Sequence, residues 1–319
     1  MNNILITSAG RRVSLLRHFK EVIQEYKLDS KIYITDLNPA LAPTYYFADG
    51  VLNISPTKSD SFVIELLNEC LEKGIKLIIP TSDLELEKLS SQIELFKENG
   101  ITILISNFNL IMQCRNKRRT DNLFEQIGIN VIPKQDKAKL EFPVFVKPFD
   151  GSLSKGIALY HTANEIPPGK FAEENLIWMP YFSPDEFQEY TVDCYYDKTG
   201  ALKCLVPRLR IEVRGGEISK GKTVGGKLYS QLISAMKKVK GARGCITLQI
   251  FASKKDLMIF GIEINPRFGG GFPLSYHAGA NFPLYILKEY LMDESIDFFD
   301  GWKIDKYMVR YDQEIIFDL

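Results

Sequence analysis

Residues 248–268 read LQIFASKKDLMIFGIEINPRF, and their alternation decides how the rest of the chain is read. In IFGIEINPRF the period is two: Ile262 and Ile264 point to one side, Glu263, Asn265 and Arg267 to the other. Gln249 has the same polar-among-apolar setting between Leu248 and Ile250. It lies as far before Asp256 as Glu263 lies after it, so a turn there makes the two cross-strand neighbours. Gln, Glu, Asn and Arg then converge on one sheet face. Carboxylate and amide oxygens are hard ligands of the kind Mg²⁺ takes together with water and phosphate oxygens. The arginine beside them can neutralise charge on a transferred phosphoryl group. An isolated E-x-N-x-R would be a solvated sheet face; the cross-strand glutamine and the glycine triplet 269–271 favour the metal reading.

Outward from this hairpin the chain divides in two. Over residues 1–110, strand runs at 3–7, 31–35, 77–80 and 101–105 alternate with helical periods at 13–28, 61–73 and 85–99. Strict alternation implies parallel pairing through right-handed crossovers, a doubly wound α/β domain. From 111 to 319 the rhythm is α+β. A basic helix start (CRNKRRTDNLFEQIG) leads to strand 144–147, a Gly/Ser loop at 150–156, and strands 157–161, 176–179, 189–196 and 202–210. A helix is expected at 228–240 and another at 283–292, around strands 245–252 and 257–265. The polar, glycine-rich stretch 214–226 has no apolar period and reads as a mobile loop.

Composition limits what such a chain does. It has 319 residues, 45% of them hydrophobic and 25% charged, with 40 basic and 40 acidic side chains and no net charge. Nucleic-acid and anionic-membrane binders are normally basic over a domain. No apolar run approaches the roughly 18–20 residues that span a bilayer, and MNNILITSAG lacks a basic n-region, so neither nucleic acid nor membrane is an expected partner. Five scattered cysteines without a CxxC pair fit reduced thiols in a cytoplasmic protein, and the three histidines have no zinc-site spacing.

IEINPRFGGG with Gln249 resembles the ATP-grasp superfamily signature, nearest in pattern to its carbamoyl-phosphate-synthase-like and carboxylate–amine ligase branch. The resemblance implies a Rossmann-like pre-ATP-grasp domain followed by a two-subdomain ATP-grasp fold, with a lid at about 140–182 and a nucleotide and metal subdomain at about 183–300. It implies that Gln249, Glu263 and Asn265 hold Mg²⁺ (or Mn²⁺) against ATP phosphates, and that Arg267 contacts the acyl or γ-phosphate. Lys117 and Lys147 match the family's two phosphate-reaching cations, and Gly151, Lys155 and Gly156 belong to a loop (DGSLSKG) matching its phosphate-covering loop. Met179 and Tyr181 match the residues that frame adenine, although Pro180 stands where the family usually has a glutamate; Glu189 matches the second ribose-facing one.

Two further groups complete the expectation. Arg208 and Arg210 share a strand face and suit carboxylate or phosphate recognition, beside the alternative of surface arginines near Glu212 and Glu217. Ser8, Gly10, Arg11 and the turn 81–85 of the first domain face the cleft by resemblance. Asp36 fits either a ribose-binding acid or a plain turn, and the single Gly10 of ITSAGRR disfavours a nicotinamide site. The implied activity is an ATP-dependent carboxylate–amine ligase working through an acyl phosphate and releasing ADP and phosphate. Phosphoryl transfer to bicarbonate or carbamate, and a catalytically silent nucleotide-binding module, are the alternatives. Its expected partners are small carboxylate and amine substrates, and a homodimer stays open.

Overall fold

The computed structural model describes residues 2–149 and 156–318, for Lys117 and Arg118 the backbone alone. The N-terminal part carries β1 (Asn3–Thr7), α1 (Val13–Glu25), β2 (Ile32–Ile34), β3 (Gly50–Val51), α2 (Phe62–Glu72), β4 (Ile75–Pro80), α3 (Asp83–Ser90), α4 (Ile93–Glu98) and β5 (Thr102–Ile103). Its five strands are all parallel in the order β3-β2-β1-β4-β5, the doubly wound arrangement the alternation predicts. Every residue of β1 is buried because helices cover both sheet faces. Two helices differ from expectation. The period over 13–28 ends at Glu25, with Lys27 at φ 52. The run 85–99 is two helices broken at Ser91 and Gln92, which lets Leu89 and Phe96 both reach the core.

The remainder follows as α5 (Phe108–Arg115), α6 (Lys117–Ile127), β6 (Asn130–Val131), β7 (Val144–Pro148), β8 (Ala158–Tyr160), β9 (Leu176–Pro180), β10 (Phe187–Tyr196), β11 (Leu202–Arg214), β12 (Glu217–Thr223), α7 (Lys227–Met236), β13 (Gly244–Ser253), β14 (Ile259–Asn265), α8 (Phe272–His277), α9 (Phe282–Leu291) and β15 (Tyr307–Val309). A small antiparallel sheet, β8-β7-β9, stands apart from a seven-stranded sheet, β15-β12-β11-β10-β13-β14-β6. The large sheet is antiparallel except where β6 joins β14.

The stretch 214–226 is a correction. It is a hairpin, not a mobile loop: β11 runs on to Arg214 and turns through Gly215 and Gly216, at φ 58 and 80, into β12. Bulges between Arg210 and Val213 and a solvent-exposed strand end erase the alternation that would announce a strand.

One continuous apolar core joins the two sheet systems. Ile4, Ile6 and Phe19 of the parallel domain pack in the same cluster as Tyr195, Val206, Phe268, Phe272 and Phe282. Such a shared core fixes how the parallel domain faces the large sheet, and hence the shape of the cleft between them.

Candidate active site

The register of the large sheet builds the site. β13 and β14 pair antiparallel with Gln249 opposite Glu263 and Thr247 opposite Asn265, as symmetry about Asp256 requires. On the other side of β13, Gln249 lies opposite Thr191 and Thr247 opposite Asp193 of β10. Thr191 in turn lies opposite Arg208 of β11. Polar side chains therefore cross the sheet in two rows on one face.

The outer row is partly open. Gln249 Nε2 donates to Glu189, and Arg210 Nε stands 3.2 Å from the same Glu189 Oε1. Asn265 Nδ2 donates to Glu263 Oε1 at 2.7 Å. Burial pushes the Glu189 carboxyl up, with the neighbouring Glu263 charge adding to it and Arg210 and Gln249 opposing. At the end of β14, Arg267 pairs with Asp83 at the start of α3, tying the sheet to the parallel domain, while its Nε is buried without a partner.

The inner row is closed. Arg208 and Asp193 are both fully buried and form a bidentate pair, Nε to Oδ2 at 2.8 Å and Nη2 to Oδ1 at 2.9 Å. Ser275 of α8 donates to Asp193 Oδ2 at 2.6 Å. This departs from the expectation that Arg208 faces substrate alongside Arg210: the guanidinium lies beneath the glycine triplet. A Cβ on Gly271 would stand 2.0 Å from Arg208 Nη1, one on Gly270 2.7 Å from the Glu217 carboxyl carbon, and one on Gly269 2.9 Å from Thr247. The triplet is thus required by close approach to the protein's own side chains.

At the β14 end of this face, where Glu263 and Asn265 line it, opens a cleft of about 1500 Å³, walled by the β1–α1 loop, the start of α3, residues 263–270 and the C-terminal residues 308–315. Glu85, beneath the loop, accepts from Thr7 Oγ1 at 2.7 Å, Ser8 Oγ at 2.9 Å, and the Thr81 and Ser82 amides at 3.1 Å each. Burial nevertheless pushes its carboxyl up. Asp36 accepts the Gly10 amide at 3.1 Å and the Asn38 amide at 3.1 Å, so it serves the loop as a turn acid. The C-terminal strand end returns to the cleft, where Arg310 donates to Glu217 at 2.8 Å and to the Gly270 carbonyl. Burial pushes the Glu217 carboxyl up, but that bond and the charges of Arg12, Arg310 and Arg11 outweigh it and hold it below the usual range.

With a parallel domain, a small antiparallel sheet and a polar-faced large sheet in place, likeness to known proteins becomes informative. Residues 4–104 match a family model described as PylC-like, N-terminal domain. Residues 172–306 match one described as ATP-grasp in the biosynthetic pathway with Ter operon. Residues 172–306 thus carry an ATP-grasp domain, behind a PylC-like N-terminal domain. No curated protein matches the sequence. Among solved structures, biotin carboxylase from Campylobacter jejuni superposes with a TM-score of 0.71 at 16% identity, over 96% of this chain and 74% of that one. N5-carboxyaminoimidazole synthetase from Staphylococcus aureus, complexed with ADP, gives 0.68 at 16% identity over 92% and 78%. The biotin carboxylase domain of Hydrogenobacter thermophilus 2-oxoglutarate carboxylase, in complex with MgADP, ADP and bicarbonate, gives 0.69 at 16% over 95% and 73%. At these identities the likeness is one of fold.

Within this ATP-grasp fold, Lys147 is half-buried on β7 opposite Ile177, and Lys117 opens α6. Gly151 and Lys155 lie outside the described residues, and Gly156 follows them at φ 74. Met179 is buried with Ile132 and Ile177 in an apolar cluster against Phe149, Phe182, Phe251 and Phe260. The Tyr181 amide donates to the Pro143 carbonyl at 3.2 Å. Among the described residues no three His, Cys, Asp or Glu side chains cluster as a metal site. The donor set fits a hard divalent cation by another route: the Glu189 and Glu263 carboxylates, whose charges oppose each other, stand with the Gln249 and Asn265 amides on one face.

Sequence reasoning missed Arg12, Ser275 and Arg310. Parity puts Asp193 on one face with Glu189 and Thr191, where a solvated face fits Thr191 and Asp193 as well as a site does; the structure buries Asp193 fully. Among the described residues no helix is long and apolar enough to cross a membrane.

Proposed function

We propose that this chain is an ATP-dependent carboxylate–amine ligase that activates a carboxylate as its acyl phosphate and releases ADP and phosphate. The observation that carries the reading is the cross-strand pairing of Gln249 with Glu263, with Asn265 next on the same strand and Arg267 just beyond its end. Gln249, Glu263 and Asn265 would hold Mg²⁺, which when bound supplies a positive counter-charge to triphosphate oxygens. The chain's own side chains do the rest by position and charge. Arg267, anchored through Asp83 yet with Nε free, is oriented towards the same cleft and can donate to an oxygen of the transferred phosphoryl group. Arg210 is held by Glu189 and Thr191, so it presents its charge from a fixed direction. Lys147 and Lys117 are assigned to the nucleotide phosphates. The apolar cluster around Met179 and Phe260 is assigned to the adenine ring, for which it supplies hydrophobic surroundings. A carboxylate oxygen attacks the γ-phosphorus as the bond to the bridging oxygen breaks; an amine then displaces phosphate from the acyl carbon. Such chemistry is mostly positioning and electrostatics and needs no nucleophilic side chain.

The test is ADP release from Mg-ATP across pools of small carboxylates, with bicarbonate as a separate arm, with and without amines. Carboxylate-dependent release that disappears in Glu263→Gln is expected. Undiminished release in Glu263→Gln removes the metal assignment, and ATP binding with no release across every arm removes the ligase reading.

A further inference from the structure

Most cations around the cleft are paired, and the two that are not, among the described residues, are neighbours in the chain. Arg267 pairs with Asp83, Arg310 with Glu217 at 2.8 Å, Arg214 with Asp312 at 2.6 Å and Arg115 with Glu87. Arg17 lies over the Phe47 ring, 4.3 Å from its centroid. Arg11 and Arg12 have none of these: among the described residues neither guanidinium makes a hydrogen bond or an ion pair, although both line the cleft. Arg12 is half-buried and set among Arg267, Glu217, Asp83 and Arg310, four groups already committed to one another. A half-buried guanidinium among other arginines and without a carboxylate of its own favours an anion that completes it. The backbone favours the same occupant: α1 begins at Val13 with no side-chain cap and no acidic residue in its first turn, and its first residues line the same cleft.

We propose that Arg12 and Arg11 form an anion subsite, and that the substrate of this protein carries a second anionic group, a carboxylate or a phosphate, seated there while its reacting carboxylate lies at Arg267. The subsite stands on these two unpartnered guanidinium groups at the start of α1; its assignment to a substrate rests on the ligase reading above. Specificity then comes from distance between two anions. A monocarboxylate fills one end of the cleft and leaves Arg12 unpaired, so binding energy and selectivity are lost together.

The experiment is calorimetric titration of the full chain with succinate, phosphoglycolate and the monocarboxylate butyrate, each with and without a non-hydrolysable ATP analogue and Mg²⁺. Succinate or phosphoglycolate should bind more tightly than butyrate, and the better of the two identifies the second group as carboxylate or phosphate. Arg12→Met should weaken that ligand roughly 10- to 100-fold, the worth of a charge-assisted hydrogen bond, and Arg11→Gln by less, because Arg11 is exposed. Neither change should move the affinity for the ATP analogue. Equal binding of butyrate and succinate, or an Arg12→Met protein that binds them as the parent does, overturns the proposal. So does an Arg12→Met protein that loses the nucleotide analogue to the same degree, which would make Arg12 a nucleotide ligand. Failure of the analogue to bind while Arg12-dependent dianion binding persists would instead sink the ligase reading and leave the subsite standing.

Discussion

Removing the Asp193 carboxylate should be among the most damaging single changes available to this chain, although it touches no substrate. Asp193→Ala leaves the fully buried Arg208 guanidinium without its two bonds, at 2.8 and 2.9 Å, and leaves Ser275 Oγ without its acceptor at 2.6 Å. Arg208 Nη1 already has no partner, so after the change no nitrogen of that guanidinium is satisfied by protein. Breaking a buried pair from one side costs about 3–5 kcal/mol, and the stranded serine adds about 1 kcal/mol. Against typical stabilities of about 5–15 kcal/mol, that is a large fraction of the whole. Urea unfolding followed by far-ultraviolet circular dichroism and by tryptophan fluorescence would read it, Trp178 reporting on the small sheet and Trp302 on the joint core. The double change Asp193→Leu with Arg208→Met removes both charges and should recover most of the loss, since apolar replacement of a buried pair is often neutral. A single variant within 1 kcal/mol of the parent (~ the worth of one neutral hydrogen bond) would refute the view that Arg208 acts through the inner row. A recovered double variant then shows by its turnover whether Arg208 does anything beyond that.

Three other outcomes are expected. Gln249→Leu should lower carboxylate-dependent ADP release by roughly 10²-fold or more, the scale for losing one preorganised charge-stabilising group, with unchanged circular dichroism; release within twofold of the parent (roughly 0.4 kcal/mol) would remove Gln249 from the site. Gly271→Ala should destabilise by about 1–3 kcal/mol through overpacking, because the new methyl meets Arg208 Nη1 at 2.0 Å and Ile218 Cγ2 at 2.6 Å; a neutral alanine would mean that Arg208 can move. Burial, with His277 nearby, holds the His18 imidazole at about 3, whereas the unfolded chain takes up that proton near pH 6.5. The folded state therefore binds fewer protons between these values, and stability falls as pH drops through the window. His18→Phe should shrink the loss between pH 7 and pH 4.5 by about 2 kcal/mol, and identical urea midpoint shifts in the two proteins would contradict this.

Where the sequence speaks clearly, the interaction is local or symmetric. The hairpin 248–268 is readable because one period and one turn fix which side chains face each other, and the register of Gln249 with Glu263 follows from counting. The parallel domain is readable because its strands are buried on both faces and its helices on one. The break between α3 and α4 has no glycine or proline to announce it; it arises because Leu89 and Phe96 must reach one core from two directions. The β11–β12 hairpin escaped because its exposed end and its bulges leave no alternation to count.

The arginines show the same division at the level of chemistry. Parity places Arg208 and Arg210 on one face, but what covers each is a tertiary matter. Ser275 of α8 and the glycine triplet close over Arg208, while Glu189 and the Gly216 carbonyl hold Arg210 at the edge. Two residues of the same type, two positions apart, thus receive different tasks, Arg208 from elements more than sixty residues further along and Arg210 from its own neighbourhood in the sheet. The same holds for Arg12 and Arg310, which the chain keeps nearly three hundred residues apart and the fold brings to one cleft. One of them has a glutamate and a carbonyl; the other has neither. No window of sequence contains that difference, because a missing partner is a property of the assembled cleft. An anion that pairs with Arg12 is therefore the missing member of a charge arrangement whose other members the chain itself supplies.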